Sequence, residues 1–168
     1  LNNISGATSG VVTATISDTA ANLATLTTAS TDAITITISD GVAATIAELV
    51  TINNATSGTV TLNSQTIAAN YSDTAVNLAA AFSGITTHTG NLTISEGSTA
   101  TIAELKVINA ATAGTVTLST ETIAANYSDT AANLAAAFSG ITTHTGNLTI
   151  SETSTATIAE LVTINAAT

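Results

Sequence analysis

The pentapeptide TIAEL stands at Thr45–Leu49 and returns at Thr101–Leu105 and Thr157–Leu161, each time 56 residues on. The string NYSDTA keeps the same spacing, at Asn70–Ala75 and Asn126–Ala131. Set side by side, residues 57–112 and 113–168 differ at only eight positions. Residues 1–56 read as a diverged copy. There Ser17–Leu23 (SDTAANL) matches Ser72–Leu78 (SDTAVNL) with the register off by one. A long fixed period is the mark of architectures that stack one supersecondary unit on the next. The organisation is therefore three repeats, 1–56, 57–112 and 113–168, in one continuous array. Leu1-Asn2-Asn3 resembles Ile52-Asn53-Asn54, and the chain stops at Ala167-Thr168, the same point of the cycle. The expectation is a window of a longer array, or open ends that serve assembly, because such arrays need polar caps for solubility.

Each repeat divides again, into halves of the Gly58–Gly84 and Ile85–Thr112 kind. Both halves hold a short alternating segment followed by a helix-like one. The alternating segments are Thr13–Ile16, Ile34–Ile38, Thr59–Leu62, Leu92–Ile94, Thr115–Leu118 and Leu148–Ile150. Their period of two and their β-branched residues predict strands. Ser72–Phe82 and Ser98–Ile108 predict helices, with Ser72 or Asp73 and Ser98 as N-caps. Ala75, Leu78, Ala79 and Phe82 share one helical face, and Ile102, Leu105 and Ile108 another. Gly84, Gly114 and Gly140 follow the helices, where left-handed stop residues belong. Half a repeat has too few inward apolar side chains to offset its own conformational entropy, so neighbours must supply the rest. The fold class read from this pattern is an α/β solenoid of six stacked coils, each with one short parallel strand and one short helix. An all-β parallel β-helix, with TIAELVTI as a strand, is the alternative.

Composition narrows function. Charged residues are 7% of the chain, against about 25% in ordinary soluble domains. The only Lys or Arg is Lys106, and the formal net charge is −10. Phosphate contacts need a Lys/Arg surface, so nucleic acid is not an expected partner. Docking on anionic lipid is equally unexpected, and no apolar run approaches a membrane span. Without Cys there is neither a disulfide framework nor a thiolate metal site. The two histidines, His88 and His144, are repeat copies 56 residues apart, so nothing converges as a catalytic triad requires. No enzyme and no cofactor are expected.

Several residues hold fixed places in the repeat. Phe82 and Phe138 read as a core ladder, and Tyr71 and Tyr127 as buried rings whose hydroxyls find a partner. Asp18, Asp73 and Asp129 read as helix N-caps, and Glu48, Glu104 and Glu160 as a solvated helix face. Asn22, Asn77 and Asn133 recur inside a helix, where Asn is unfavourable. They are expected to point inward and bond turn backbone on the adjacent coil. Asp40, Glu96 and Glu152 recur after a strand and are weak calcium candidates, each nearly alone where calcium wants six to eight oxygens. Outward strand positions form a Thr ladder in two columns: Thr13 with Thr15, Thr35 with Thr37, Thr59 with Thr61, Thr93, Thr115 with Thr117, and Thr149.

The DTAANL/DTAVNL segments, with NLTIS and TIAEL, resemble the DTAAN-type tandem repeats of very large secreted or surface bacterial proteins, S-layer-like and adhesin-like. The resemblance covers nearly the whole chain. It implies an extracellular or cell-surface location and a structural role in a filament, surface layer or adhesin stalk that self-associates by coil stacking. The calcium-binding nonapeptide found in many such proteins is absent here. The alternative is that the Thr ladder binds ice, glycan or another solid.

Overall fold

The structure, a computed structural model, describes every residue of the chain except Glu96, Ser98 and residues 152–154. The fold is mixed α/β. Residues 1–56 hold α1 (Asn2–Ser5), β1 (Thr13–Asp18), α2 (Ala20–Leu23), β2 (Ala33–Ile38) and α3 (Ile46–Asn54). Residues 57–112 hold β3 (Val60–Thr61), α4 (Ser64–Ala68), β4 (Tyr71–Asp73), α5 (Ala75–Ala81), β5 (Leu92–Ile94) and α6 (Ile102–Ala111). The last repeat duplicates that order as β6 (Val116–Thr117), α7 (Thr120–Ala124), β7 (Tyr127–Asp129), α8 (Ala131–Phe138), β8 (Leu148–Ile150) and α9 (Ile158–Ala167).

All strand pairs are parallel, in the orders β1-β2-β3, β4-β5-β6 and β7-β8. Helices pack side by side in chain order, α2 on α3, α3 on α5, α5 on α6, α6 on α8 and α8 on α9. TIAELVTI is helical, which excludes the all-β alternative. The reading of one strand and one helix per coil also needs correction. Halves of the Gly58–Gly84 kind hold two strands and two helices, because Asn63 and Ser119 cap a five-residue helix between the strands.

Local chemistry explains the elements. In β2, Ile34, Ile36 and Ile38 are buried while Thr35 faces out, as alternation requires. α3, α6 and α9 each start in a capping box: the N-cap Thr accepts from the backbone of the Glu three residues on, and that Glu accepts from the Thr backbone. The N-cap of α6 is thus Thr101, whereas the expected cap Ser98 lies outside the described residues. Glu48, Glu104 and Glu160 close these boxes rather than forming a merely solvated face.

Glycine does two different jobs. Gly84 and Gly140 follow α5 and α8 at φ +73° and +74°, where a side chain is strained. Gly114 is not such a stop. It belongs to a column of close backbone approaches: a Cβ on Gly90 would stand 1.9 Å from the Ala69 carbonyl oxygen, and one on Gly114 would stand 2.4 Å from that of Gly90. Gly146 repeats the approach against Ala125 at 1.8 Å. Gly90→Ala must therefore push two backbone segments apart. It should cost more than the roughly 1 kcal/mol usual for a strained glycine, whereas Gly97→Ala, with open space at its Cβ, should cost only about that. Urea unfolding of the two variants checks the ranking.

Candidate functional surface

The outward face of the sheets carries Ser and Thr in register. Ser17, Thr37 and Thr61 are cross-strand partners, as are Ser72, Thr93 and Thr117, and Ser128 and Thr149. All are exposed or half-exposed. This is not the continuous two-column Thr ladder expected. Thr15 pairs with Thr35, not Thr37, and Thr13 pairs with Ala33. Thr93 aligns with Thr117, not Thr115. Thr61 and Ser72 lie in separate sheets, because α4 intervenes between β3 and β4. The second column becomes Asn-lined: Asn91 donates its backbone N–H to Asn70 Oδ1 at 2.8 Å, and Thr115 donates to Asn91 Oδ1 at 2.9 Å. Asn147 donates likewise to Asn126 Oδ1. Thr59 is exposed and meets β2 through its carbonyl, which accepts from the Ile36 N–H.

The Asp-Thr-x-x-Asn segments fold differently from expectation. The N-caps of α2, α5 and α8 are Thr19, Thr74 and Thr130, not the preceding aspartates. Asp18, Asp73 and Asp129 accept from the next backbone N–H, each at 2.7 Å, and from the side-chain amide of Asn22, Asn77 and Asn133. These asparagines therefore point to their own helix start and not inward to the next coil. The Asn22 amide holds the Asp18 carboxyl below the usual carboxylate range, and Asn133 does the same for Asp129.

Other asparagines reach across. Asn53 Nδ2 donates to the carbonyls of Ala80 and Ser83 at 2.9 and 3.0 Å, and Asn109 repeats this on Ala136 and Ser139. Asn63 Nδ2 donates to the carbonyls of Asp40 and Val42. The carbonyls bonded by Asn53 and Asn109 lie at helix ends that lack intrahelical partners.

Inside, Phe82 and Phe138 are fully buried, but they do not stack as a ladder of like rings. Each belongs to a separate Tyr–Phe–His cluster. Phe82 lies 4.8 Å from His88 and 5.7 Å from Tyr71, and Phe138 lies 4.8 Å from His144 and 5.6 Å from Tyr127. The hydroxyls of Tyr71 and Tyr127 donate to the carbonyls of Ala44 and Ala100, each at 2.7 Å. His88 Nδ1 donates to the Ile67 carbonyl and His144 Nε2 to that of Ala125. The other ring nitrogen of each is buried without a partner among the described residues. Burial pushes both imidazoles below the ordinary histidine range, since the charged form would be desolvated. The two histidines are invisible as core members in the sequence except through their fixed offset from Phe.

Of the weak calcium candidates, Asp40 accepts from Asn63 Nδ2 at 2.9 Å and from the Ala20 N–H at 3.3 Å. Glu96 and Glu152 lie outside the described residues. Among the described residues, no three His, Asp or Glu side chains gather as metal ligands would, and no helix is long and apolar enough to cross a membrane. No protein-family model, curated protein or solved structure matches the chain.

Two outcomes are expected. Asn109→Ala leaves two helix-end carbonyls without their donor and should cost about 1–3 kcal/mol, whereas Asn77→Ala, losing a contact exposed to water, should cost under about 1 kcal/mol. Thermal unfolding distinguishes them, and equal losses would contradict the assignment. The second concerns pH. Both histidines have folded-state pKa values below the unfolded value of about 6.5. The unfolded chain then binds more protons below that pH, so stability is full above it and falls as the medium is acidified. Melting temperature should drop between pH 7 and 5, and the His88→Gln/His144→Gln pair should flatten that slope.

Proposed function

We propose that the chain is a structural repeat segment, an α/β solenoid working as part of an extracellular filament, surface layer or adhesin stalk. The observation that supports this best is how elements are completed. Strands, helix ends and buried hydroxyls take their hydrogen bonds from segments 20 to 30 residues along the chain. Near-identical repeats suit that scheme, because each contact reproduces the last. The resemblance to repeats of large secreted and surface proteins, and the near-absence of cations, agree with it. The reading involves no catalysis and no cofactor. Its partner is the protein itself, not nucleic acid or a membrane.

The in-register Ser/Thr columns favour a second reading, a hydroxyl face that lies against ice, glycan or another ordered solid. Thermal hysteresis or glycan capture by the isolated chain would move it ahead.

The first reading predicts how size scales. Chains lengthened by one and two further copies of residues 113–168 should grow in maximum dimension by a constant increment. That increment is about 16–20 Å per copy, two helix spacings. Small-angle scattering measures it, and compact-sphere scaling would overturn the solenoid.

A further inference from the structure

We propose that the outward face of α9 binds the Asp18–Leu26 edge of a second copy of this chain, head to tail. This rests on the stacked reading above and names the two surfaces that meet.

The interface is already made twice within the chain. Residues 45–53 and 157–165 have the same sequence, TIAELVTIN. In α3 that sequence is covered by α5, and Ile46 and Leu49 are 8% and 1% exposed. In α9 nothing among the described residues covers it, and Ile158, Leu161 and Val162 are 82%, 45% and 63% exposed. The complementary element is equally duplicated. Ser17–Leu23 has the same sequence as Ser128–Leu134, whose helix α8 packs on α6. Ile46, Ala47 and Val50 face Asp73 and Asn77 across one groove. One repeat later Lys106, in the place of Val50, donates to Asn133 Oδ1. At the ends of the chain the same positions are Ile158, Ala159 and Val162 on one side and Asp18 and Asn22 on the other.

The receiving edge is open. A groove beside α2 is lined by Leu1, Ile16, Asp18, Asn22, Leu23 and Leu26. α1 fills only the far part: Asn2 Nδ2 donates to the Thr25 carbonyl, as Asn53 does to that of Ala80. An incoming α9 therefore engages through its first two turns, where its exposed apolar residues lie. Such a contact is heterologous. It joins unlike surfaces and propagates as an open line instead of closing as a dimer.

Cysteine chemistry tests this cleanly, because the chain contains none. A short bis-maleimide is applied to two double variants, Val50→Cys/Asn77→Cys and Asn22→Cys/Val162→Cys, followed by denaturing gels and peptide mapping. The 50/77 pair should link within one chain, leaving the mass that of a monomer. The 22/162 pair should give a ladder of dimers, trimers and higher species joined 22 to 162. Adding Ile158→Asp should reduce that ladder at least tenfold. If the 50/77 pair links but the 22/162 variant stays monomeric, or links only 22 to 22 or 162 to 162, the head-to-tail contact is wrong and the stacked reading survives. If the 50/77 pair fails to link, the helix packing itself is wrong and both fall.

Discussion

A polar backbone group here is satisfied by a segment 20 to 30 residues away, and nearly every element depends on that. A β-strand of two or three residues cannot stand alone, and helices of four to ten residues are marginal in water. What holds them is a lattice of long-range bonds. Thr56 Oγ1 donates to the Ile34 carbonyl and accepts from the Ile34 and Gly58 N–H groups. Thr66 and Thr122, fully buried, accept from the N–H groups of Ala44 and Ala100. The hydroxyl-rich composition therefore has a structural reason. Thr offers a methyl group to the core and an oxygen to the neighbouring backbone from the same small side chain.

Much of this was legible from the repeat itself. The strands at Leu92–Ile94 and Leu148–Ile150 follow directly from alternation, and the TIAEL helices from their apolar stripe. The Asp-Thr segments were harder. Both residues are good caps, and only geometry decides that Thr caps the helix while Asp binds the N–H of that Thr. β4 and β7 escaped because Tyr-Ser-Asp is three residues long and abuts a helix, so it reads as the helix start. The asparagines were sorted wrongly for a related reason. Recurrence marks Asn77 and Asn109 equally, but the direction in which each amide points depends on which helix end lies beside it.

The extra strand and short helix in alternate halves answer a spacing problem on the stacked reading. Packed helices lie about 8–10 Å apart, whereas paired strands lie about 4.8 Å apart. One helix for every strand would force each layer to splay on the helix side. Residues 57–112 instead set three strands against the two longer helices α5 and α6. The break between β3 and β4, bridged by α4, adds width where the strands alone would fall short. The interrupted hydroxyl face is then a consequence of matching the two sides, not a flaw in a ladder.

The same lattice explains how eleven acidic residues coexist with a single lysine. The carboxylates are balanced by backbone N–H groups in place of cations. Asp18, Asp73 and Asp129 sit just before a helix, and Glu48, Glu104 and Glu160 in its first turn, where the helix dipole favours negative charge. Asp32, buried, accepts from the N–H groups of Val12 and Ala29 and from the Ser5 hydroxyl, which hold its carboxyl below the usual range. Lys106 bonds Asn133, itself bonded to Asp129, so even the lone cation acts through this arrangement. Such a scheme ties charge to position. Each carboxylate is stable only where a helix or turn presents its amides, so acidity marks where each helix begins.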